Sequence, residues 1–573
     1  MDSDYEPVLI RDPRLNDIES SIKYGVYSGS PSSVWGVYNS NGTTSKNNCK
    51  FNVQFDENTA IDKRMYFEAT VQYKITRDAS NKAGTASLIQ DTQIFNPGIS
   101  DAWQSFPLNR LTQTSSVRLN TANFTANNSD IVSALNRLMC KEQLGNYQAG
   151  TPVFPDNYQN YSDIPPDAGN HPMGGYQKRS YHDYLYPRGC HVISVSNADF
   201  AGNSVVHVGG GGANNPDGLL VQNSGGNANG TTETWVITFS SVFYEPLFVS
   251  PLIFGKSREQ TQGAFLGIRN IDINLTFNDG RGIFSFGSET NPATFQYELV
   301  NVKDARLHVN QLSLPSSLKI PPKIVCPYNE YDRRTTTFNK TFAMAVAGAG
   351  ESFTSNNLQL QSIPDKIIVY MKRNETDQSP LIADYFFPIQ AISIKFGQKS
   401  GLLADSSQYQ LFKMSVDNGL KMDWYQWSGY AVSTLNSDAA ANKPLNTVGS
   451  ICVIDPAKDL SLFETVTNGS AGSFDIQIKL TCVNSSSADV VNPEMHILLI
   501  NGGYMRTLGG KTDSALSPLT ADVVMNTLSQ SAISDDGEYR PAIGGAHSAG
   551  SHSGGKMQRR GAYSGGKMSS LCM

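Results

Sequence analysis

Charged residues are scarce in this chain. They make up 17% of its 573 residues, against about 25% in an average soluble domain. Together with a mixed, Asn- and Thr-rich composition, this excludes coiled coils and helical repeats, which need far more Ala, Glu, Lys and Leu. No apolar run approaches the roughly 20 residues that a membrane helix requires. There is no C-x-x-C and no Cys/His cluster at zinc spacing. The seven cysteines (Cys49, Cys140, Cys190, Cys326, Cys452, Cys482 and Cys572) are odd in number and widely spaced, which points to a reduced compartment. The first residues, Met1-Asp-Ser-Asp-Tyr-Glu6, are acidic and lack the apolar core of a secretory signal. The N-x-S/T sequons at Asn41, Asn123, Asn229 and Asn468 therefore read as by-products of a polar surface.

What is present points to β structure. There are 25 Tyr, 26 Phe, 49 Gly and 27 Pro, a mixture that suits many short strands joined by polar loops. The aromatics also exclude a disordered chain. Period-two alternation marks strands at Phe51–Phe55 and Arg64–Ile75, and further β segments lie at His191–Val195, Thr234–Phe243 and Gly267–Phe277. The prolines in Glu245–Ile253 suggest an edge or a sharp corner. A second β series is expected at Thr335–Ala347, Lys366–Met371, Phe387–Phe396, Ser450–Ile454, Phe474–Cys482 and Met495–Ile500. Helices are expected near 17–23, over Asp130–Gln143 with Ser129 or Asp130 as cap, over Ser406–Asn418, and over Thr520–Gln530. Residues 144–185 and 209–232 read as long exposed loops.

Prolines 315, 321, 322 and 327 crowd one stretch and mark a boundary near Leu314–Pro327. Each half shows paired strands, an inserted helix, then more strands. Two β-sandwiches in tandem are the economical architecture. The expected division is an arm over 1–35, a first sandwich over 36–314, a second over 315–510, a helical segment over 511–539 and a tail over 540–573. That tail contains no acidic residue and carries Arg540, Lys556, Arg559, Arg560 and Lys567, so it is +5 while the rest of the −6 chain is −11. Its Ser-Gly-Gly-Lys-Met pentapeptide occurs at 553–557 and again at 564–568. Nothing there can bury a core, so it is expected to stay flexible until it meets a partner.

The search for chemistry is negative. Gly209–Gly212 lacks the Lys-Ser/Thr of a phosphate cradle, and no H-E-x-x-H or G-x-S-x-G occurs among the eight histidines and their surroundings. Cys190–His191 is adjacent in sequence, but neighbours on a strand point to opposite faces. The acidic pairs Asp56/Glu57 and Asp535/Asp536 read as solvated carboxylates. No catalytic residue, cofactor or metal site is expected. The alternative to a structural role is a β-sandwich that binds a receptor or carbohydrate, with Trp424 and Trp427, the two close members of five tryptophans, as a stacking platform. A jelly-roll hydrolase is a third option and lacks an identifiable acid, base or metal ligand.

Several segments, taken in order, resemble the major capsid proteins of the double jelly-roll virus lineage. They are Ile61-Asp-Lys-Arg-Met-Tyr-Phe67; Glu245–Phe254 with Leu266–Leu275; Ile320-Pro-Pro-Lys-Ile-Val-Cys-Pro-Tyr-Asn-Glu330; and Ile363–Arg373 followed by Phe387–Ile394, Ser400–Leu403, Met414–Gly419, Trp427–Tyr430 and Ile454–Leu460. The likeness is greatest to the proteins of polinton-like viruses, adintoviruses and virophages, with adenovirus hexon more distant. It spans roughly residues 45–510, and no single motif carries it. The resemblance implies an all-β chain of two tandem antiparallel jelly-roll sandwiches with a few short inserted helices and a flexible C-terminal tail. It implies no enzyme activity, homotrimers of hexagonal outline, and an icosahedral shell around double-stranded DNA. The implied partners are the chain itself, penton and minor or cement capsid proteins, and genomic DNA through the basic tail; membrane insertion is not implied. The implied location is the virion, after assembly inside the host cell.

Overall fold

The computed structural model describes residues 8–10, 24–26, 32–41, 45–56, 59–78, 93–95, 101–147, 151–157, 159, 191–196, 205–208, 218–222, 234–250, 264–280, 282–286, 295–313, 323–342, 350–374, 377, 384–433, 443–462, 467–485 and 492–516. Sixteen strands carry the architecture. In the first half these are β1 (Ser32–Asn39), β2 (Asn48–Gln54), β3 (Thr59–Asp78), β4 (Thr112–Leu119), β5 (Ala122–Ala126), β6 (Thr234–Pro246), β7 (Asn270–Phe277) and β8 (Phe295–Ser313). In the second half they are β9 (Lys323–Thr337), β10 (Glu351–Thr354), β11 (Lys366–Arg373), β12 (Ile389–Phe396), β13 (Lys399–Leu402), β14 (Cys452–Ile454), β15 (Ala471–Cys482) and β16 (Pro493–Leu508).

The two halves share one strand order. The first builds the sheets β1-β8-β3-β6 and β2-β7-β4-β5. The second builds β9-β16-β11-β14 and β10-β15-β12-β13. Adding eight to each label of the first pair gives the second. All of these pairings are antiparallel. The eight strands common to each pair of sheets therefore form a jelly roll, a double-sheet solution to the problem of exposed strand edges, and in the first half His191–Ser196 adds a further strand beside β6.

Local sequence explains the strands. In β2 the inward residues are Cys49, Phe51 and Val53, alternating with exposed Asn and Lys. In β7 Ile271, Ile273, Leu275 and Phe277 face in while Asp272 and Asn274 face out. Trp103 sits at the centre of the first core, edge-on to Tyr73 at 4.7 Å and to Phe243 at 4.9 Å. The central strand β11 differs: Ile367 through Met371 are all buried. A continuous apolar run of this kind marks a strand covered on both faces. One face of β11 packs on its own sandwich, and the other is covered by the first jelly roll.

Several expectations shift in the structure. The helix expected over Asp130–Gln143 is broken into α2 (Asn128–Leu135), a 3-10 turn at Asn136–Leu138 and a short helix at Lys141–Gly145. Its N-cap is Asn127, without a side-chain capping bond. A five-residue helix, α1 (Pro107–Leu111), precedes it. The helix expected at Ser406–Asn418 is α3 (Gln408–Asp417), with Ser407 and Gln410 as a capping box. A further helix, α4 (Trp424–Ser428), is capped by Asp423 and ends at Gly429. The loop 209–232 contains a strand at Gly218–Gln222, which hairpins with Val205–Val208. Within the segment expected to be helical over 511–539, Lys511–Leu516 is a strand that hairpins onto β16 through Gly509 and Gly510, both with positive φ. The expected helices near 17–23 and over Thr520–Gln530, and most of the loop 144–185, lie outside the described residues. β1 begins at Ser32, inside the stretch read as an arm. Pro327 falls within β9, which is tolerated because β9 is the edge of its sheet.

Candidate functional site

The basic residues proposed from sequence as a contact for DNA or a partner, Arg540, Lys556, Arg559, Arg560 and Lys567, lie outside the described residues, as does Cys190. None of the five described cysteines is in a disulfide. Among the described residues no group of three or more His, Cys, Asp or Glu is placed to hold a metal, and no helix is long and apolar enough to cross a membrane. Trp427 is fully buried, and its indole N–H donates to Ile451 O at 2.9 Å. It is therefore not available as half of a stacking platform with Trp424.

The structure instead concentrates charge at the seam between the jelly rolls. Arg110, in α1, forms a fork with Asp384, with both N···O distances 2.8 Å. Arg137 reaches the same carboxylate at 3.5 Å and also donates to Asp156 O at 2.5 Å. A second set centres on Asp130 in α2. Its carboxylate takes Lys372 of β11 at 2.7 Å and pairs with Arg333 of β9, and its backbone oxygen accepts from the Tyr370 hydroxyl at 2.6 Å. Burial alone would raise the Asp130 carboxyl, yet the charges of Lys372 and Arg333 hold it well below the usual carboxylate range.

Apolar and neutral contacts complete the seam. Phe124 of β5 meets Tyr328 of β9 edge-on at 5.2 Å. Asn120 donates to the Thr512 hydroxyl at 2.9 Å, Thr121 to Thr512 O at 2.6 Å, and Ser250 to Asn329 O at 2.5 Å. One apolar core runs through both sandwiches, from Cys49 to Met505. The imidazole of His496 in β16 is stacked on Tyr370 at 5.2 Å and 3°. Neither of its ring nitrogens has a hydrogen-bond partner, and Glu494 Oε2 stands 3.8 Å from Nε2. Burial pushes this imidazole well below its ordinary range, and the Lys372 charge adds to the effect.

Glu245 anchors α1 from beneath. It is fully buried and accepts from the backbone N–H groups of Leu108 and Asn109, both at 2.9 Å, and from the Asn109 amide at 2.8 Å. Burial pushes its carboxyl up to about 7, against the pull of these donors. Holding α1 in place holds Arg110, and thus the seam. Sequence reasoning missed all of these residues, since Arg110 and Asp384 stand 274 positions apart and nothing local marks either.

These arrangements position and join; they present no reacting constellation. The comparisons with known proteins agree with the fold. The family profile described as the Sputnik virophage major capsid protein 1st domain matches residues 3–310, and that of the major capsid protein V20 C-terminal domain matches residues 331–503. The putative capsid protein V20 of Sputnik virophage is 23% identical over 480 residues, covering 82% of this chain and 72% of the relative. The Sputnik virophage structure determined by cryo-EM gives a TM-score of 0.67 at 22% identity, covering 91% of this chain and 95% of its counterpart. The crystal structure of the mavirus major capsid protein gives 0.64 at 15% identity, covering 92% and 98%. With one profile spanning more than half of its length and a second taking up most of the rest, the chain belongs to the family of Sputnik-type virophage major capsid proteins.

Proposed function

We propose that three copies of this chain close into a ring of six jelly rolls, and that these trimers tile an icosahedral shell around a double-stranded DNA genome. Membership of the family makes the chain a structural component of the virion capsid. The observation that supports the finer reading is the repeated strand order, with a buried, ion-paired seam joining the two units. A chain carrying two equivalent units at a fixed mutual tilt is half-way to a ring, since a head-to-tail contact between copies can repeat the seam and close. No catalytic role is needed for this work.

The basic tail extends the reading. Five positive charges without a counter-charge suit weak, salt-sensitive contact with packaged DNA, or docking on penton or cement proteins. The competing reading, a β-sandwich that binds receptor or carbohydrate, loses its specific support with Trp427 buried.

Negative-stain microscopy of the purified chain tests the assembly, with three-fold particles of hexagonal outline expected. Removal of residues 540–573 tests the tail. DNA retention should fall at low salt, and the salt dependence of the full chain should flatten in the truncated one. Equal retention by both would remove the tail from any DNA role.

A further inference from the structure

Nine large apolar side chains are exposed among the described residues, and six of them lie in two places. Val34, Trp35 and Val37 lie on β1. Tyr409, Tyr425 and Tyr430 lie on α3, on α4 and just after α4. Scattered apolar residues on a surface need no explanation, but clusters of this kind mark contact sites.

β1 is the edge of its sheet, and its exposed residues fall on both of its faces. An edge strand of that character is a liability unless something covers it. Its outer face is also stiffened from below. Trp35 lies against Tyr66 at 6.0 Å, and Tyr66 stacks on Tyr244 at 4.9 Å and 10°. On the other patch, Tyr409 meets Trp424 at 5.7 Å, and Trp424 stacks on buried Trp427 at 5.8 Å. Both surfaces are therefore held in shape before any partner arrives. Rigid aromatics of this type are enriched at the centres of interfaces.

The seam within the chain shows how such surfaces meet. There, the outer face of β9-β16-β11 is covered by α2, the helix that follows the β4-β5 hairpin of the other jelly roll. By strand order the counterpart of that face is the outer face of β1-β8-β3, and the counterpart of α2 is α3, which follows the β12-β13 hairpin. The correspondence extends to side chains. His496 of β16 is the cross-strand partner of Tyr370 in β11, and His308 of β8 is the cross-strand partner of Tyr66 in β3. In the second jelly roll this face is buried under α2. In the first, its β1 side is open, with Trp35 49% and Val37 52% exposed.

We propose that α3 and α4 of one copy, through Tyr409, Tyr425 and Tyr430, seat on the β1 face of the next copy around Trp35 and Val37. The contact is heterologous, since each copy gives an α3–α4 surface and receives one, and three such contacts close the ring. The seam within the chain relies on Asp130, Arg333 and Lys372, whereas the contact between chains is aromatic. This difference keeps the two sites from exchanging partners. The inference rests on the trimer reading above and specifies its interface.

The test uses the full chain and measures mass in solution by light scattering and native mass spectrometry. Two variants are made at exposed positions, Trp35→Ser with Val37→Ser, and Tyr409→Ser with Tyr425→Ser, and a control carries Leu508→Ser with Leu516→Ser. The wild type and the control should be trimers. Each patch variant should be a monomer with an unchanged circular dichroism spectrum, at least tenfold weakened in assembly. An equimolar mixture of the two patch variants should form a one-to-one heterodimer, because only one intact face of each kind remains. Trimers in both patch variants would overturn this interface while leaving the trimer reading intact. A monomeric wild type would overturn the trimer reading itself. Variants that lose the wild-type spectrum are replaced by Trp35→Phe with Val37→Thr, for which a trimer at wild-type strength counts against the proposal.

Discussion

Arg110 and Asp384 face each other across the seam of the two jelly rolls, paired through two N···O contacts of 2.8 Å, with neither side chain more than 7% exposed. A fork of this geometry fixes direction as well as distance. It sets the tilt of one sandwich against the other, which is the property a ring-forming subunit needs. A buried pair of this kind is a weak source of net stability while intact but costly to break.

Asp384→Asn leaves Arg110 and Arg137 buried beside a neutral amide. The expected loss is about 3–5 kcal/mol. Differential scanning calorimetry should show a lowered transition, split as the two jelly rolls uncouple. A single transition at the wild-type temperature would show that the pair does not couple the units.

Asp130 gives the seam a dependence on acid. Its carboxyl titrates below the ordinary carboxylate value because Lys372 and Arg333 stabilise the anion. Its contribution is therefore complete above about pH 4, the unfolded value, and is lost as pH falls further. Asp130→Asn should lower the melting temperature fully at pH 7, and the deficit should shrink below about pH 4. A deficit that does not change with pH would mean that charge at this position is irrelevant.

His496 acts in a separate window. It is buried and neutral, faced by Asp130 across the seam, by Lys372 and Arg333 on the neighbouring strands β11 and β9, and by Glu494 on its own strand. The unfolded chain binds a proton near pH 6.5, while the folded chain resists it. The contribution of His496 to stability should therefore fall as pH drops below about 6.5. His496→Phe, which keeps the stack on Tyr370, should flatten the slope between pH 6.5 and 5 and leave the Asp130 window untouched. A slope equal to the wild type would place the acid sensitivity elsewhere.

Two glycines with positive φ separate strain from collision. A Cβ on Gly449, at φ +98, would stand 1.7 Å from Phe386 O, whereas one on Gly397, at φ +57, would meet nothing within 4 Å. Gly397→Ala should cost about 1–2 kcal/mol. Gly449→Ala should prevent recovery of folded protein. Comparing soluble yield and melting temperature checks both, and equal behaviour would contradict the geometry.

The strands that sequence reveals are those whose alternation is unbroken. β2, with every second residue buried, is legible at once. β8 is among the longest strands and escapes, because bulges between Leu299 and Asn301, Lys303 and Arg306, and Val309 and Gln311 reset its period. β4 hides in Thr and Ser, whose inward members such as Ser115 are satisfied by hydrogen bonds instead of apolar packing. The beginning of β9 hides behind the prolines read as a linker. α3 is legible in the sequence, expected over Ser406–Asn418 and found over Gln408–Asp417, whereas the break after Leu135 is not, since it answers to Arg137 turning into the seam. The two-sandwich plan and its resemblance to capsid proteins could be read from the chain. The seam could not, because each of its contacts joins residues that only the fold brings together.

The mass of the purified wild-type chain in solution tests the central claim most directly. A species of three times the 62.4 kDa chain mass is expected, with three-fold particles of hexagonal outline under the microscope. A stable species at the mass of one chain, at concentrations where capsids form, would contradict it.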